Sequence, residues 1–458
     1  MRAPTLASLL LLAACGGAAT STTPSTTSTV TVGPAVAAPK ASNVRAGLPD
    51  TPEGRQLTWV FELLDARKGQ AEPAEVQMHF AASFLAAVPP EKFLALGQQV
   101  APGMAGAKVL RAEMKGPQLH VRTAASQRFD WTISVDQDGK IAGLFVKPAP
   151  LVDTMDEALA MVPKLAPKAS LLIAELDGET CKPLHAVEEN QELAIGSAFK
   201  LYVLLGLADQ VQRGKLKWDQ ELAVRDDWKS LPSGKTQNDP AGTKLTVREL
   251  ANRMISISDN TATDHLLYTV GRKNVEAALH TAHHAQPLLD TPFLSTREMF
   301  MFRLGLPDAE TGTYVALKAA QRRAFLDTKL VKKVVPTDHA AEWTTARHID
   351  QVEWFASPMD LCGAMAALQG RAAKVPAVLD VLAINPGVPI DKQVYPYVGF
   401  KGGSEPGVLS GTWLLERDDH KRFVVSLIAN DPAGPMPDET KLFGVALSAI
   451  ELLGKEAR

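Results

Sequence analysis

Cysteine is scarce in this chain of 458 residues, which has 3, at positions 15, 181 and 362. So few cysteines exclude a protein held together by a disulfide framework. Aromatic residues make up only 6%, and the net charge of −3 gives no electrostatic reason to expect binding to nucleic acid or to an anionic lipid surface. Beyond the N-terminus, no apolar run approaches the roughly 20 residues that span a bilayer. The remaining composition, 46% hydrophobic and 22% charged, is that of a globular protein.

The cysteine and histidine residues lead to expectations about disulfides and metal binding. Cys181 and Cys362 are far apart in the sequence, and we expect two buried free thiols, with pairing in an oxidising compartment as the alternative. The run His280-Thr281-Ala282-His283-His284 has helical rather than zinc-site spacing and no neighbouring Cys or Glu ligands. We interpret it as a solvated helix end. The sequence therefore predicts no metal and no cofactor.

The N-terminus has the pattern of an export signal. A basic Arg2 and an apolar stretch lead to Leu12-Ala13-Ala14-Cys15, which resembles a bacterial lipobox, where cleavage leaves a diacylated cysteine. We predict a lipoprotein signal peptide over residues 1–15; the alternative is an ordinary secretory signal in which Cys15 is incidental. Residues 16–48 are rich in Ser, Thr, Pro and Ala, which predicts a disordered tether.

Those two segments imply a location. Two acyl chains anchor a protein stably, where one chain does not. We expect the chain to lie outside the cytoplasmic membrane, with membrane contact through the lipid anchor only. In a Gram-negative source this means the periplasm or the outer membrane.

Residues 49–148 predict a small α+β domain. Amphipathic helical patterns come first and alternating strand patterns follow. The predicted helices and strands are a helix at 57–64, a helical stripe at 76–85, a short helix at 93–100, and strands at 108–114, 119–122, 129–135 and 141–146. The order resembles the cone-shaped nuclear-transport-factor and steroid-isomerase superfamily. No acid–base pair in this region predicts catalysis, and fold alone assigns no activity.

Residues 151–458 predict a larger α/β domain. Strand patterns at 171–176 and 191–194 suggest a first hairpin turning at Asp177-Gly178. Thr246 and Glu249 form a capping-box pattern that starts a helix ending near Ile257. Strand patterns at 408–415 and 423–429, then a closing helical pattern at 439–456, complete the chain.

Three short motifs in this domain carry the chemistry. They are Ser197-Ala198-Phe199-Lys200, Ser258-Asp259-Asn260 and Lys401-Gly402-Gly403. Each motif alone is weak, since a Ser-x-x-Lys arises by chance, Ser, Asp and Asn favour turns, and a Lys-Gly-Gly is most often a turn. Their order, and the separation of 61 positions from Ser197 to Ser258, favour a functional interpretation. The second lysine also ends an apolar run that predicts a strand.

This ordered set resembles the class A β-lactamases and penicillin-binding proteins. The resemblance implies an antiparallel-sheet α-β sandwich and an acyl-enzyme on Ser197, with Lys200 as general base. It further implies that Ser258 passes the proton to the leaving group and that Lys401 attracts an anionic substrate. A hydroxyl nucleophile at a helix N-terminus, with a lysine one turn on, is a chemically sound arrangement for this role.

The substrate-binding residues follow from the same resemblance. Asn260 is expected to bind the amide side chain of the substrate. Gly402, Gly403 and Ser404 line the strand beside the nucleophile, and the backbone N–H groups of Ser197 and Ser404 are the expected oxyanion hole.

Two departures from class A enzymes shape the functional prediction. Gly402 stands where that class has a Thr or Ser whose hydroxyl holds the β-lactam carboxylate. The Glu–Asn pair that serves deacylation has no counterpart; Glu298 is the nearest candidate base, although we favour a helix-capping role for it. The motif Lys401-Gly402-Gly403-Ser404 and the two-domain layout resemble the β-lactamase-fold esterases of clavulanic acid gene clusters.

We therefore predict an anchored extracytoplasmic serine hydrolase, esterase-like, with weak β-lactam turnover. Its expected substrate is a small acyl compound: an ester, a β-lactam or a cell-wall peptide. The alternatives are a genuine class A β-lactamase and a non-catalytic lipoprotein that binds penicillin or cell-wall peptides. Turnover of activated esters separates the last of these from the enzymes.

Overall fold

A computed structural model describes residues 47–231, 233–331, 333 and 343–456. The predicted signal peptide, Cys15 and nearly all of the predicted tether lie outside the described residues. The chain divides into two compact units, residues 1–151 and 152–458. Within the described ranges, none of the helices combines the length and the apolar character needed to cross a bilayer.

The N-terminal unit consists of helices followed by a four-stranded antiparallel sheet in the order β1-β2-β3-β4. Its elements are α1 (Pro52–Asp65), α2 (Pro73–His79), α3 (Ala82–Ala87), α4 (Pro90–Met104), β1 (Lys108–Lys115), β2 (Gln118–Ala124), β3 (Arg128–Val135) and β4 (Ile141–Pro148). Burial alternates along β2 and β3, so one face of the sheet packs against the helices. Phe61 of α1 meets Trp131 of β3 edge to face, with 5.1 Å between ring centroids. The predicted small α+β domain is confirmed.

One helix prediction in this unit is wrong. The stripe from Val76 to Leu85 predicts a single helix, but the structure breaks it into α2 and α3. Phe80 is extended and bridges to Ile141, and the Ala81 N–H donates to the Ile141 carbonyl at 2.9 Å. Pairing with the sheet therefore replaces a helical hydrogen bond at this point.

The C-terminal unit is built on a five-stranded antiparallel sheet in the order β11-β12-β13-β5-β6. Its strands are β5 (Lys168–Asp177), β6 (Thr180–Val187), β7 (Leu193–Ala194), β8 (Glu221–Ala223), β9 (Lys244–Thr246), β10 (Phe355–Ala356), β11 (Tyr397–Glu405), β12 (Val408–Glu416) and β13 (Arg422–Asn430). β12 and β13 are buried on both faces, as in a sheet covered by helices on each side. The remaining strands form two small ribbons, β7 with β10 and β8 with β9.

Helices cover both faces of this sheet. The helices of this unit are α5 (Met155–Met161), α6 (Lys200–Gln212), α7 (Val247–Ser256), α8 (Asn260–Val270), α9 (Arg272–Thr281), α10 (Thr296–Phe300), α11 (Asp308–Ala316), α12 (Ala319–Phe325), α13 (Pro358–Arg371), α14 (Ala377–Leu382) and α15 (Glu439–Leu453). Leu172, Val424 and Ile428 face the core formed with α6 and α13. Trp413 contacts Phe443 of α15, with 5.9 Å between ring centroids. The predicted antiparallel α-β sandwich is confirmed.

The first hairpin differs from the prediction. The hairpin partner of β5 is β6, not residues 191–194, of which Leu193–Ala194 instead form β7 against β10. Pro183 made β6 hard to see in the sequence because proline cannot donate to a ladder. The structure accommodates it at the sheet edge, where the register shifts opposite Ile173 and Ala174.

Two side-chain expectations are also wrong. Cys181 of β6 and Cys362 of α13 form a disulfide, with 6.3 Å between their Cα atoms, rather than two free thiols. His284 is not on a solvated helix end: it is 5% exposed and donates from Nε2 to the Phe355 carbonyl at 2.8 Å. Both outcomes depend on contacts between distant parts of the chain.

Candidate active site

Ser197 lies on a 3-10 turn, Gly196–Phe199, that leads directly into α6. The turn is held from both sides. The Ile195 N–H donates to the Trp354 carbonyl at 3.0 Å, and the Ser410 hydroxyl donates to the Ile195 carbonyl at 2.7 Å. Ser197 is half-buried, so its hydroxyl is fixed in place while remaining open to a substrate.

The Lys200 amine is fully buried and lies within hydrogen-bonding distance of four oxygens. Two are carbonyls that only accept: Ser258 O at 2.7 Å and Asn260 Oδ1 at 2.7 Å. Two are hydroxyls, Ser197 Oγ at 3.0 Å and Ser258 Oγ at 2.9 Å. A neutral amine has two N–H donors and one lone pair. The two carbonyls take the donors, and the lone pair is left for a proton from a hydroxyl.

The electrostatics favour that neutral form. Burial lowers the pKa of Lys200 well below its usual value, and the positive charge of Lys401 lowers it further. Asp259 and Asp264 oppose the shift with a smaller effect. An unprotonated lysine at 3.0 Å from a serine hydroxyl is the arrangement that a general base requires.

Ser258 joins the two lysines. Its Oγ lies 2.9 Å from Lys200 Nζ and accepts from Lys401 Nζ at 3.1 Å. Its backbone has φ of 55°, a left-handed conformation that is uncommon for a residue other than glycine. Strain of this kind is retained where the geometry is needed. Burial lowers the pKa of Lys401 to about 7, so this lysine changes charge near neutral pH.

The other two residues of the second motif are structural anchors. Asp259 caps α8 by accepting from the Ala262 N–H at 2.8 Å, and its second oxygen accepts from the backbone of Lys235 and Thr236. Asn260 accepts from Lys200 and donates from Nδ2 to the Leu231 carbonyl at 3.3 Å. In this structure the Asn260 amide orients the lysine. A contact with substrate stays a prediction.

The third motif brings strand β11 against the nucleophile turn. A Cβ on Gly403 would lie 2.1 Å from the Ile195 carbonyl oxygen and 2.6 Å from the Ser197 nitrogen, so only glycine fits there. A Cβ on Gly196 would lie 3.1 Å from the Ser404 nitrogen. The N–H-bearing nitrogens of Ser197 and Ser404 are thus on facing segments, as the predicted oxyanion hole requires. Ser404 itself is exposed.

Gly402 has a different constraint. A Cβ at this position would lie 2.9 Å from the tip of the Phe400 ring and 3.2 Å from the Ser410 carbonyl oxygen. Phe400 is only 9% exposed and packs against Trp413, with 4.8 Å between centroids. The ring therefore occupies the space that a hydroxyl-bearing side chain at position 402 needs.

Glu298 is occupied elsewhere. It completes a capping box with Ser295, whose N–H donates to Glu298 Oε2 at 2.8 Å. It also forms an ion pair with Arg272, with 2.8 Å between Nη2 and Oε1. Both carboxylate oxygens have partners, which favours the capping role over that of a catalytic base.

Sequence reasoning missed four supporting residues. Asn430 makes a two-point contact with β7, because its side chain both accepts from the Ala194 N–H and donates to the Ala194 carbonyl, each at 2.9 Å. Trp354 stacks on Phe199 at 3.7 Å, and Ser410 holds the turn from β12. Asp264, buried with a pKa raised to about 7 by burial, accepts from the Thr296 and Arg297 N–H groups. Only Asp264 had a signal, its position one helical turn after Asn260.

Comparisons with known proteins agree with this geometry. The family model described as beta-lactamase enzyme family matches residues 157–444, and one described as ORF 12 gene product N-terminal matches residues 48–141. Comparison with curated proteins finds no match. The link to the esterases of clavulanic acid clusters stays a prediction.

Solved structures of similar fold include a beta-lactamase from Sphaerobacter thermophilus, at 19% identity and a TM-score of 0.47 over 67% of this chain and 99% of that one. A beta-lactamase from Chitinophaga pinensis has 16% identity and a TM-score of 0.44 over 66% and 98%. PBP-A has 17% identity and a TM-score of 0.41 over 67% and 97%.

The beta-lactamase family model covers well over half of the chain and includes all three motifs. At their meeting point is a serine with a buried lysine beside it. The chain thus belongs to the beta-lactamase enzyme family, as a class A-like serine hydrolase that acts through an acyl-enzyme.

Proposed function

We propose that the protein is an extracytoplasmic, esterase-like hydrolase that is acylated on Ser197 and turns β-lactams over weakly. The observation that carries this proposal is the pairing of an activated nucleophile with a glycine at position 402, where the Phe400 ring leaves no room for a hydroxyl-bearing side chain. The substrates are small acyl compounds with a good leaving group.

Acylation begins with proton transfer. The Lys200 lone pair takes the proton of the Ser197 hydroxyl, 3.0 Å away, while Ser197 Oγ forms a bond to the carbonyl carbon of the substrate. The backbone N–H groups of Ser197 and Ser404 stabilise the oxyanion of the tetrahedral intermediate. Lys200 then holds the transferred proton.

Ser258 completes the step. Its Oγ lies 2.9 Å from Lys200 Nζ, so it can pass a proton to the leaving group while it receives one from Lys200. The leaving-group bond breaks as the carbonyl re-forms, which leaves an ester on Ser197. Lys200 is neutral again and can accept the proton of a water molecule that attacks the acyl-enzyme.

Weak β-lactam turnover follows from Gly402. A missing hydrogen bond to a charged carboxylate is worth about 1.5–3 kcal/mol, or roughly ten- to a hundred-fold in affinity. The exposed Ser404 hydroxyl, two residues further along β11, supports partial replacement of that contact. Neutral esters do not depend on this contact and should lose nothing.

Slow deacylation is expected because the candidate carboxylate base is occupied by other partners. Glu298, the candidate base from the sequence, is held by Ser295 and Arg272. Water activation is therefore left to the Lys200–Ser258 pair. Bulky acyl groups that displace water from this pair should give long-lived acyl-enzymes.

The experiment is a comparison of kcat/KM for a nitrophenyl ester and a chromogenic cephalosporin, with intact-mass detection of the acyl-enzyme. We expect ester turnover to exceed cephalosporin turnover and a penicillin adduct to persist on the protein. A cephalosporin kcat/KM of about 10⁶ M⁻¹s⁻¹ or more would overturn the proposal in favour of a genuine β-lactamase. Adduct formation without turnover of either substrate would favour a non-catalytic binding protein.

The extracytoplasmic location is part of the proposal. A disulfide between Cys181 and Cys362 supports it, because disulfides persist in oxidising compartments. The lipobox-like Leu12-Ala13-Ala14-Cys15 supports a lipid anchor. Cys15→Ala should move the protein from the membrane fraction to the soluble fraction of the cell envelope. Unchanged membrane partitioning would contradict the anchor.

A further inference from the structure

A second group of ionisable side chains lies away from the nucleophile. We call it the carboxylate–histidine cluster: Glu192, Tyr202, His284, Asp290 and Asp360. Apart from Glu192, which is half-buried, these residues are 0–5% exposed. The mechanism above uses none of them. One ligand atom from each of Glu192, His284 and Asp360 lies within 4.8 Å of the other two.

His284 presents an unprotonated ring nitrogen to this cluster. Its Nε2 donates to the Phe355 carbonyl at 2.8 Å, which places the ring proton on Nε2 and leaves Nδ1 unprotonated. Metal-binding histidines are typically fixed in this way, with the second ring nitrogen donating to a carbonyl or carboxylate. Nδ1 lies 3.9 Å from Asp360 Oδ1. It also accepts from the Gln286 N–H at 3.1 Å, a contact that a bound ion would replace.

The carboxylates of Asp360 and Glu192 differ in their hydrogen bonds. Asp360 is oriented by the Ala285 N–H on Oδ1, at 2.7 Å, and by Ser357 on Oδ2. Each carboxylate oxygen has a second lone pair, so Oδ1 can still bind an ion. Both Glu192 oxygens are buried without a hydrogen-bond partner. The hydroxyl of Tyr202 and Oδ2 of Asp290 are likewise buried and unpartnered.

The charge of the cluster is uncompensated. Among the described residues, ion pairs of these three carboxylates involve only His284, 3.6 Å from Asp290 and 3.9 Å from Asp360. Burial, together with the negative charge of these carboxylates, raises the pKa of the Tyr202 hydroxyl. Buried carboxylates are stable when they are paired, protonated or bound to a metal.

We propose that Glu192, His284 and Asp360 bind one divalent transition-metal ion. One imidazole nitrogen and two carboxylates form a ligand set suited to Zn²⁺ or Mn²⁺. Tetrahedral Zn²⁺ ligands at about 2.0–2.2 Å from the ion lie roughly 3.3–3.6 Å apart. Binding therefore requires Glu192, which lies in the loop before β7, to move by about 1 Å. The proposal replaces our sequence-based expectation of no metal.

The ion would join three segments that are distant in the sequence. Glu192 immediately precedes β7, which leads to Ser197; His284 follows α9; and Asp360 is in the first turn of α13. Among the described residues, no hydrogen bond or ion pair joins the three ligands to the motif residues, so the ion would stabilise the fold rather than take part in the reaction. Occupancy should therefore appear as stability rather than as a new activity, so failure of this proposal is distinguishable from failure of the proposed function.

The test uses the tag-free full chain after treatment with a chelator and dialysis. Zn²⁺ and Mn²⁺ are added in separate titrations at pH 7.5, with binding measured by calorimetry and native mass spectrometry. We expect one ion per chain and, at a hundred-fold excess over Kd, a rise in Tm of about 4 °C or more. The affinity of the two ions identifies the preferred metal.

Glu192→Gln is the decisive variant, since it keeps the size of the side chain and removes the charge. It should weaken ion binding about a hundred-fold and abolish the rise in Tm. The matched control is Glu221→Gln, at an exposed position on β8, which should bind like the wild type. Equal binding by the two variants would overturn the proposal.

A protonated cluster is the competing outcome. Burial and Asp360 raise the pKa of Glu192 to about 8, so Glu192 without a metal would hold its proton. The folded state would then bind more protons than the unfolded state, and stability would fall as pH rises through 8. A Tm that follows pH in this way and does not respond to Zn²⁺ or Mn²⁺ would overturn the metal site.

Discussion

The two units of this chain bury very different side chains. In the N-terminal unit, the buried residues of the described part are apolar except for Thr123, which accepts from the Trp131 indole at 3.0 Å. The C-terminal unit buries two lysines, an arginine network and several carboxylates inside a larger apolar core. Burial of apolar side chains therefore accounts for the core of the N-terminal unit, whereas the core of the C-terminal unit also contains buried charged groups.

The difference in buried charge between the two units indicates which unit contains the functional site. Removing a charge from water costs several kcal/mol unless partners compensate for it. Lys200 has four oxygen contacts and still has a lowered pKa, so compensation is incomplete. Incomplete compensation at a cluster of motif residues is the physical mark of a functional site. The N-terminal unit has no such cluster among its described residues.

The largest effect should come from the nucleophile. Ser197→Ala should lower ester turnover about 10⁴-fold or more and abolish labelling by a fluorescent penicillin, because no acyl-enzyme can form. Its Tm should stay close to that of the wild type, since the half-buried hydroxyl is replaced by a methyl group. Labelling that persists in this variant would place the nucleophile elsewhere, including in the N-terminal unit.

A matched pair of arginine variants tests the contrast in buried charge. Arg303 is fully buried and binds Glu353 at 2.5 Å and Glu405 at 2.8 Å. Arg303→Met leaves two carboxylates without their cation and should cost about 3–5 kcal/mol of unfolding free energy. Arg122→Met breaks a half-exposed pair with Asp130 in the N-terminal unit and should cost at most about 1 kcal/mol. Urea denaturation followed by fluorescence measures both, and equal losses would remove the contrast.

The disulfide should stabilise the C-terminal unit alone. The double substitution Cys181→Ala, Cys362→Ala removes a cross-link between residues 181 positions apart and should lower the unfolding free energy by about 2–5 kcal/mol. Activity of the folded protein should survive, because neither cysteine contacts the motif residues. Calorimetry should show the shift in the transition of residues 152–458. A shift of every transition by the same amount would show that the two units unfold together.

The pH profile should separate anionic from neutral substrates. Lys401, with its pKa at about 7, is charged at pH 6 and mostly neutral at pH 8. Its attraction for a substrate carboxylate therefore weakens as pH rises. The ratio of kcat/KM for a carboxylate-bearing ester to that for a neutral ester should fall up to about tenfold between these pH values. The ratio cancels effects on Lys200 that both substrates share, and a flat ratio would show that Lys401 does not bind the carboxylate.

The smallest effect on catalysis should come from Glu298→Gln. Its carboxylate is held by Ser295 and Arg272, so kcat should change by less than about threefold. Loss of hydrogen bonds to a charged group should lower the unfolding free energy by about 1–3 kcal/mol. Single-turnover measurement of deacylation is the sharper assay. A hundred-fold slower deacylation would restore Glu298 as a base.

Local patterns in the sequence predicted local structure well. The capping box of Thr246 and Glu249 starts α7, and α7 ends just before Ser258. The alternating patterns of the N-terminal unit correspond to β1 to β4, and the predicted and observed strand ends differ by a few residues at most. These features depend on residues within a few positions of each other, and propensity and periodicity describe such interactions.

Contacts between distant segments could not be predicted in the same way. Pro183 concealed an edge strand, and the burial of His284 depends on Phe355, 71 residues away. Ser410 and Asn430 each contact the segment before Ser197 across more than 200 residues. The three motifs indicated which residues act, whereas the residues that hold them in place have no local pattern.

The packing of Phe400 against Gly402 also has an evolutionary consequence. A Cβ on Gly387 would lie 2.7 Å from the same ring, and Trp413 covers another side, so the ring has little room to turn away. A single change of Gly402 to Ser or Thr would clash before its hydroxyl could help. On the proposed function, efficient β-lactam hydrolysis would therefore require a smaller residue at position 400 first or at the same time. That order of substitutions forms a barrier in sequence space, and under antibiotic selection it should keep this protein from becoming a resistance enzyme through one mutation.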